Sequence, residues 1–149
     1  MNVTRRSTLK TAGLAAAAVS LPGMVHAQSG SATLKLALVG CGGRGSQAAQ
    51  QFLVHDGVEL VAVADAFLDN AEASLQRLRS SNADKVKVTP ETTFAGFDAY
   101  KKAIDLADVV ILTTPPGFRP EHYAYAVAAG KHIFTEKPVA VDAPGIRRF

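Results

Sequence analysis

The largely apolar run Leu34-Lys35-Leu36-Ala37-Leu38-Val39 leads directly into Gly40-Cys41-Gly42-Gly43-Arg44-Gly45. A short apolar segment closed by glycine suits a buried strand. From Ser46 to Asp56 the period changes: Ala48, Ala49, Phe52 and Leu53 recur at helical spacing, and Gly57 ends the helix. The turn between them fits G-x-G-x-x-G, and each glycine answers a separate demand. Gly40 permits the tight turn out of the strand, Gly42 lets backbone approach a pyrophosphate, and Gly45 lets the helix pack against the sheet. Free N–H groups and the positive dipole end of that helix favour phosphate. Gly43 lies on the same turn and joins the candidate phosphate contacts, as does Arg44, although an arginine on the first turn of a helix is more often simply solvated.

A second strand, Val58 to Ala64, ends at Asp65, 20 residues beyond Gly45. A carboxylate at this point accepts hydrogen bonds from the adenosine ribose hydroxyls and repels a 2′-phosphate. Ala66 and Phe67 follow, so no adjacent cation offers a 2′-phosphate a partner. The reading is NAD, with NADP disfavoured. Asp65 could instead cap the next helix, a role open equally to Asp69.

Further along, Leu68, Ala71, Leu75 and Leu78 mark a helix over roughly 69–80, and Val86 to Val88 reads as a weak third strand. A short helix around Phe97–Ile104 precedes the apolar strand Val109–Leu112. Pro120 suits the first position of another helix, with Tyr123, Ala124, Val127 and Ala128 on its inner face and Gly130 at its end. Ile133–Thr135 forms a fifth strand, and Asp142–Phe149 begins another helix. Strands that alternate with helices and lack polar alternation indicate a parallel sheet covered on both faces. The fold class is α/β, a Rossmann-type doubly wound parallel sheet over residues 28–149, incomplete at its C-terminal end.

The fifth strand closes in Gly130-Lys131-His132-Ile133-Phe134-Thr135-Glu136-Lys137-Pro138. Ligands in open α/β sheets bind beyond the carboxyl ends of strands. Lys137 falls there, as do Thr113, Thr114, Pro115 and Pro116. A lysine beside a nicotinamide can polarise a substrate hydroxyl and stabilise the developing alkoxide; a solvated lysine at a strand end is the plainer reading of the bare tripeptide.

The segments LALVGCGGRG (36–45), VAVADA (61–66), TTPP (113–116) and AGKHIFTEKPVA (129–140) together resemble the Gfo/Idh/MocA oxidoreductase family. The resemblance implies a nicotinamide-dependent enzyme acting on a sugar or polyol, with Thr114, Pro115 and Glu136 beside the cofactor. Lys137 matches the family's Glu-Lys-Pro lysine, implicated in binding or polarising substrate, and its bond to Pro138 is commonly cis in relatives. It also implies a second, larger α/β domain that holds the substrate, carries the catalytic Asp and His, and often mediates homo-oligomerisation. That domain would lie beyond Phe149, so residues 28–149 alone are expected to bind cofactor weakly and turn nothing over. The stretch Gly117-Phe118-Arg119-Pro120 looks longer than in many members, leaving His122 as either the family's helix histidine or a structural one. Two rival readings of the whole remain: an NAD-dependent glycosidase of the same architecture, and a non-catalytic periplasmic ligand-binding protein.

Composition narrows the field. The 149 residues are 48% hydrophobic, with 16 basic and 13 acidic side chains. Three of the basic residues, Arg5, Arg6 and Lys10, lie in the first 27 positions, so the remainder is formally neutral and offers no basic face for nucleic acid. Paired arginines, an apolar run from Ala12 to Val19, and Val25-His26-Ala27 read as a twin-arginine-type signal over 1–27, cleaved after Ala27. The run is too short for a stable membrane anchor. That route carries folded proteins, commonly with cofactor loaded, and points to a periplasmic or otherwise exported location. One cysteine allows no internal disulfide, and His55 and His132 lack partners at metal-ligand spacing, so no metal site is expected.

Overall fold

The computed structural model describes residues 33–149, and the signal expected over 1–27 lies outside the described residues. Strand β1 (Leu34–Val39) feeds helix α1 (Gly43–Leu53), then β2 (Val58–Asp65) and α2 (Leu68–Asn82). A single 3-10 turn precedes β3 (Thr93–Ala95), followed by α3 (Ala99–Asp105), β4 (Val109–Leu112), α4 (Arg119–Ala128), β5 (His132–Thr135) and α5 (Ala143–Ile146). The strands form one parallel sheet in the order β3-β2-β1-β4-β5. Chain order reverses between β1 and β4, the switch point at which such sheets open a crevice.

Alternation along β1 divides the core. Leu36 and Leu38 face one layer, where Ala48, Ala49 and Leu53 of α1 and Ala71, Leu75 and Leu78 of α2 close over them. Ala37 and Val39 face the other, joined by Ala62, Ala64, Val110 and Leu112 under α3 and α4. Burial of each larger aliphatic side chain contributes about 2 kcal/mol. The register of β1 on β2 shifts after Leu36↔Leu60 to Ala37↔Ala62, so β2 carries one extra residue.

Two expectations need correction. Val86–Val88 is not the third strand: Val86 makes only an isolated bridge to Leu60, and both valines are buried in the α1–α2 layer. The strand forms at Thr93–Ala95, where it pairs with Val63–Asp65 at the carboxyl end of β2. Helix α4 is also rotated. It begins at Arg119, one residue before Pro120, and buries Arg119, Pro120, His122 and Ala126, while Ala124, Val127 and Ala128 are exposed. The polar side chains turn inward because carbonyl and hydroxyl partners await them there. Helix α1 starts earlier than its apolar spacing showed, taking in Gly43, Arg44 and Gly45.

Candidate functional site

The carboxyl ends of β1, β2 and β4 open into a cavity of about 560 Å³. Its wall includes Gly40, Gly42, Asp65, Thr114 and Pro115, five of the ten residues singled out from sequence. Gly43, Arg44, Gly45, Glu136 and Lys137 do not line it.

The glycines divide by what constrains them. Gly40 has φ +95°, and a Cβ there would lie 2.6 Å from the Thr114 nitrogen and 2.8 Å from the Thr113 carbonyl carbon. A Cβ on Gly45 would overlap the Gly40 carbonyl oxygen and approach Thr113 Oγ1 to 2.6 Å. Both are required by the fold. A Cβ on Gly42 or Gly43 meets no atom within 4 Å. Gly42 stands at the N-cap of α1 with no side-chain cap bond. Nothing among the described residues demands glycine there, whereas an anion pressed against the uncapped amides would. The turn therefore fits a dinucleotide's pyrophosphate.

Asp65 anchors the other side. Its Oδ2 accepts from the Cys41 N–H at 2.7 Å, and its Oδ1 from the Phe67 N–H at 3.1 Å and Asn70 Nδ2 at 3.2 Å. A carboxylate has about four lone-pair sites, so roughly one remains for a hydroxyl in the cavity. Asp65 forms no ion pair among the described residues. The cavity continues past Phe67, Phe97 and Phe118, aromatic faces suited to a flat base.

Beneath the loop after β4, Thr113 Oγ1 donates to the Gly40 carbonyl at 2.7 Å, tying that loop to the glycine turn. Thr114 Oγ1 lies 3.1 Å from His122 Nδ1, and the His122 ring stacks on Tyr100 with centroids 4.1 Å apart. Burial pulls the His122 pKa down to about 4 despite the opposing charge of Glu121. The histidine is therefore neutral near pH 7, and it stands in the cavity wall. Cys41 is fully buried, and burial with the nearby Asp65 charge lifts its thiol to about 12, which excludes it as a nucleophile at neutral pH.

Arg44 and Glu136 meet each other. Arg44 Nε donates to Glu136 Oε1 at 2.7 Å, and its terminal nitrogen completes the ion pair. The Arg44 hydrogen bond holds the Glu136 carboxyl below its usual range. Lys137, next in the chain, is exposed, and its side chain makes no hydrogen bond or ion pair among the described residues. The Lys137–Pro138 bond is cis. Asn70 and Arg119 were not singled out as site residues. Asn70 alone carried a local signal, a polar residue on the first turn of α2 beside the strand-end acid.

Residues 34–148 match the Gfo/Idh/MocA profile, an oxidoreductase family with an NAD-binding Rossmann fold. The chain is 32% identical over 117 residues to an inositol 2-dehydrogenase from Cereibacter sphaeroides, covering 78% of this chain and 31% of that protein. It is 29% identical over 164 residues to a glycosyl hydrolase family 109 protein from Shewanella pealeana, covering 95% of this chain and 35% of that protein. Among solved structures, scyllo-inositol dehydrogenase from Lactobacillus casei with bound NAD(H) and scyllo-inositol superposes with a TM-score of 0.60. That match has 27% identity and covers 77% of this chain and 31% of the other. The chain thus spans about a third of the length of these relatives. With glycine turn, strand-end carboxylate and sheet order in agreement, the chain belongs to the Gfo/Idh/MocA oxidoreductase family, and residues 34–148 are its NAD-binding Rossmann domain.

Proposed function

We propose that this chain is the cofactor-holding part of an exported, NAD-dependent oxidoreductase acting on a hydroxyl of a sugar or polyol. The observation that carries the cofactor choice is Asp65, a carboxylate in the cavity wall with spare acceptor capacity and no cation paired to it. Gly42 and the uncapped first turn of α1 would hold the pyrophosphate, and Thr114 and Pro115 would border the path toward the nicotinamide. NAD supplies the hydride acceptor when bound. The Lys137 side chain, without a partner among the described residues, would donate to the substrate hydroxyl and stabilise its oxygen as charge develops. Arg44 and Glu136 would act on the turn from outside the cavity.

The substrate class is supported by the inositol dehydrogenases of comparable fold and sequence. Export is supported by Arg5, Arg6 and the Ala12–Val19 run, and replacing both arginines by lysine should block it. Unchanged export would favour a general secretory route. Incubating the full-length protein with NAD and a panel of polyols, and following NADH absorbance, tests the activity. Net NADH formation with at least one polyol supports the reading; none with any sugar or polyol contradicts it.

One observation favours a second reading. The match to the Shewanella pealeana protein takes in 95% of this chain and so extends ahead of residue 34, where the family profile begins. An NAD-dependent glycosidase would release an aglycone without accumulating NADH. The lysine in Glu136-Lys137-Pro138, a group that could polarise a substrate hydroxyl, supports the dehydrogenase.

A further inference from the structure

Arg119 is 6% exposed, yet every hydrogen bond its guanidinium makes goes to a main-chain carbonyl. Nε donates to the Thr114 carbonyl at 2.7 Å. Nη1 donates to the carbonyls of Glu136 and Pro138, both at 2.6 Å. Thr114 belongs to the loop leaving β4 and lines the cofactor cavity. Glu136 and Pro138 flank Lys137 in the loop leaving β5. One side chain on the first turn of α4 thus joins the cofactor wall to the peptide group that precedes the lysine and to the one that follows Pro138.

Carrying a guanidinium into this position is costly. Burial lowers its pKa, and only the Glu136 charge, already paired with Arg44, opposes that effect. Charges are rarely buried without an ion partner, because desolvation exceeds what neutral acceptors return. Satisfying the carbonyls does not account for it either. Lys137 and Pro138 are exposed, so water could reach that segment. What a guanidinium adds is geometry: a rigid planar fork holding several acceptors in fixed mutual positions, which neither water nor an ammonium group reproduces.

We propose that Arg119 is a positioning residue, a clasp that sets the aim of Lys137 relative to the cofactor cavity. The inference rests on the reading of Lys137 as the group that meets the substrate hydroxyl. Arg44 supports the same segment through the Glu136 side chain, while Arg119 grips its backbone. The reacting geometry tolerates little displacement, so loosening this clasp should lower turnover far more than cofactor affinity.

Two measurements test it. Amide hydrogen exchange on the chain carrying Arg119→Lys should show at least tenfold faster exchange in both Thr113–Phe118 and Glu136–Ala140, with β1 and β2 unchanged. Unaltered exchange at Glu136–Ala140 would overturn the clasp whatever the activity. In the full-length protein, Arg119→Lys should lower kcat about 10- to 100-fold while the KM for NAD stays within about threefold. Added to Lys137→Ala, it should have no further effect on kcat. A loss that adds fully to that of Lys137→Ala, or a raised NAD KM with unchanged kcat, would contradict the proposal. If Lys137→Ala turns over like the parent, or the parent reduces no NAD, the functional reading fails and hydrogen exchange alone decides the clasp. Arg119→Gln replaces the lysine variant if that one does not fold.

Discussion

The backbone amide of Cys41 donates to Asp65 Oδ2 at 2.7 Å, so the strand-end carboxylate braces the glycine turn as well as facing the cavity. The sequence motif treats these as two separate contacts with one ligand. In the folded chain they are also a contact with each other, and the brace holds the turn in shape before any ligand arrives. Asp65→Ala should therefore act at two points.

Hydrogen bonds to a charged group contribute about 1.5–3 kcal/mol, so Asp65→Ala should weaken NAD binding roughly 10- to 100-fold. NADP binding should fall less, because the repulsion of the 2′-phosphate disappears together with the brace. Fluorescence titration with NADH and NADPH measures both. Equal losses would mean that Asp65 serves the turn alone.

The two classes of glycine should separate stability from binding. Gly45→Ala forces a Cβ into the Gly40 carbonyl oxygen and Thr113 Oγ1. Overpacking of this kind costs about 1–3 kcal/mol, visible as a lowered Tm. Gly42→Ala adds an atom to open space, so Tm should hold while NADH affinity falls at least tenfold. A Tm loss at Gly42 comparable to that at Gly45 would contradict this division.

His122 gives the domain an acid sensitivity of known sign. Its folded pKa of about 4 lies below the ordinary 6.5, so the unfolded chain binds the extra proton between those values. Stability is then complete above about pH 6.5 and falls as pH drops toward 4, by about 3 kcal/mol in all. Denaturant unfolding at several pH values should show this slope. His122→Asn should flatten it across the same window, whatever its own baseline stability, and an unchanged slope would assign the effect elsewhere.

Cys41 is the chain's one cysteine, which makes its reactivity simple to read. With a buried thiol raised to about 12, labelling by a thiol reagent at pH 8 should be negligible in the native protein and complete after denaturation. Rapid native labelling would mean that the glycine turn opens.

Much of this architecture was legible because its determinants are local. Gly40, Gly45 and the strand-end Asp65 each impose a constraint within a few residues of themselves, and β1, β2 and β4 are predominantly apolar. Where determinants are distant, the reading failed. Val86 and Val88 are apolar enough for a strand, but they fill the layer under α2, and pairing at the end of β2 falls to Thr93–Ala95. On α4, counting apolar side chains chose Tyr123, Ala124, Val127 and Ala128, and of these only Tyr123 packs against the core. The buried face instead carries Arg119 and His122, whose partners lie in the loops after β4 and β5. Arg44 and Glu136, 92 residues apart, were each read toward a ligand and are bound to one another. No local pattern announces such a pairing.

The cavity between Gly42 and Asp65 is expected to take the adenosine diphosphate half of NAD. Titration calorimetry with ADP-ribose reads that half directly, with no demand on the nicotinamide end or on substrate. One-to-one saturable binding, abolished by NAD in competition and weakened by Asp65→Ala, is the predicted result. No saturable heat with ADP-ribose or NAD would contradict it.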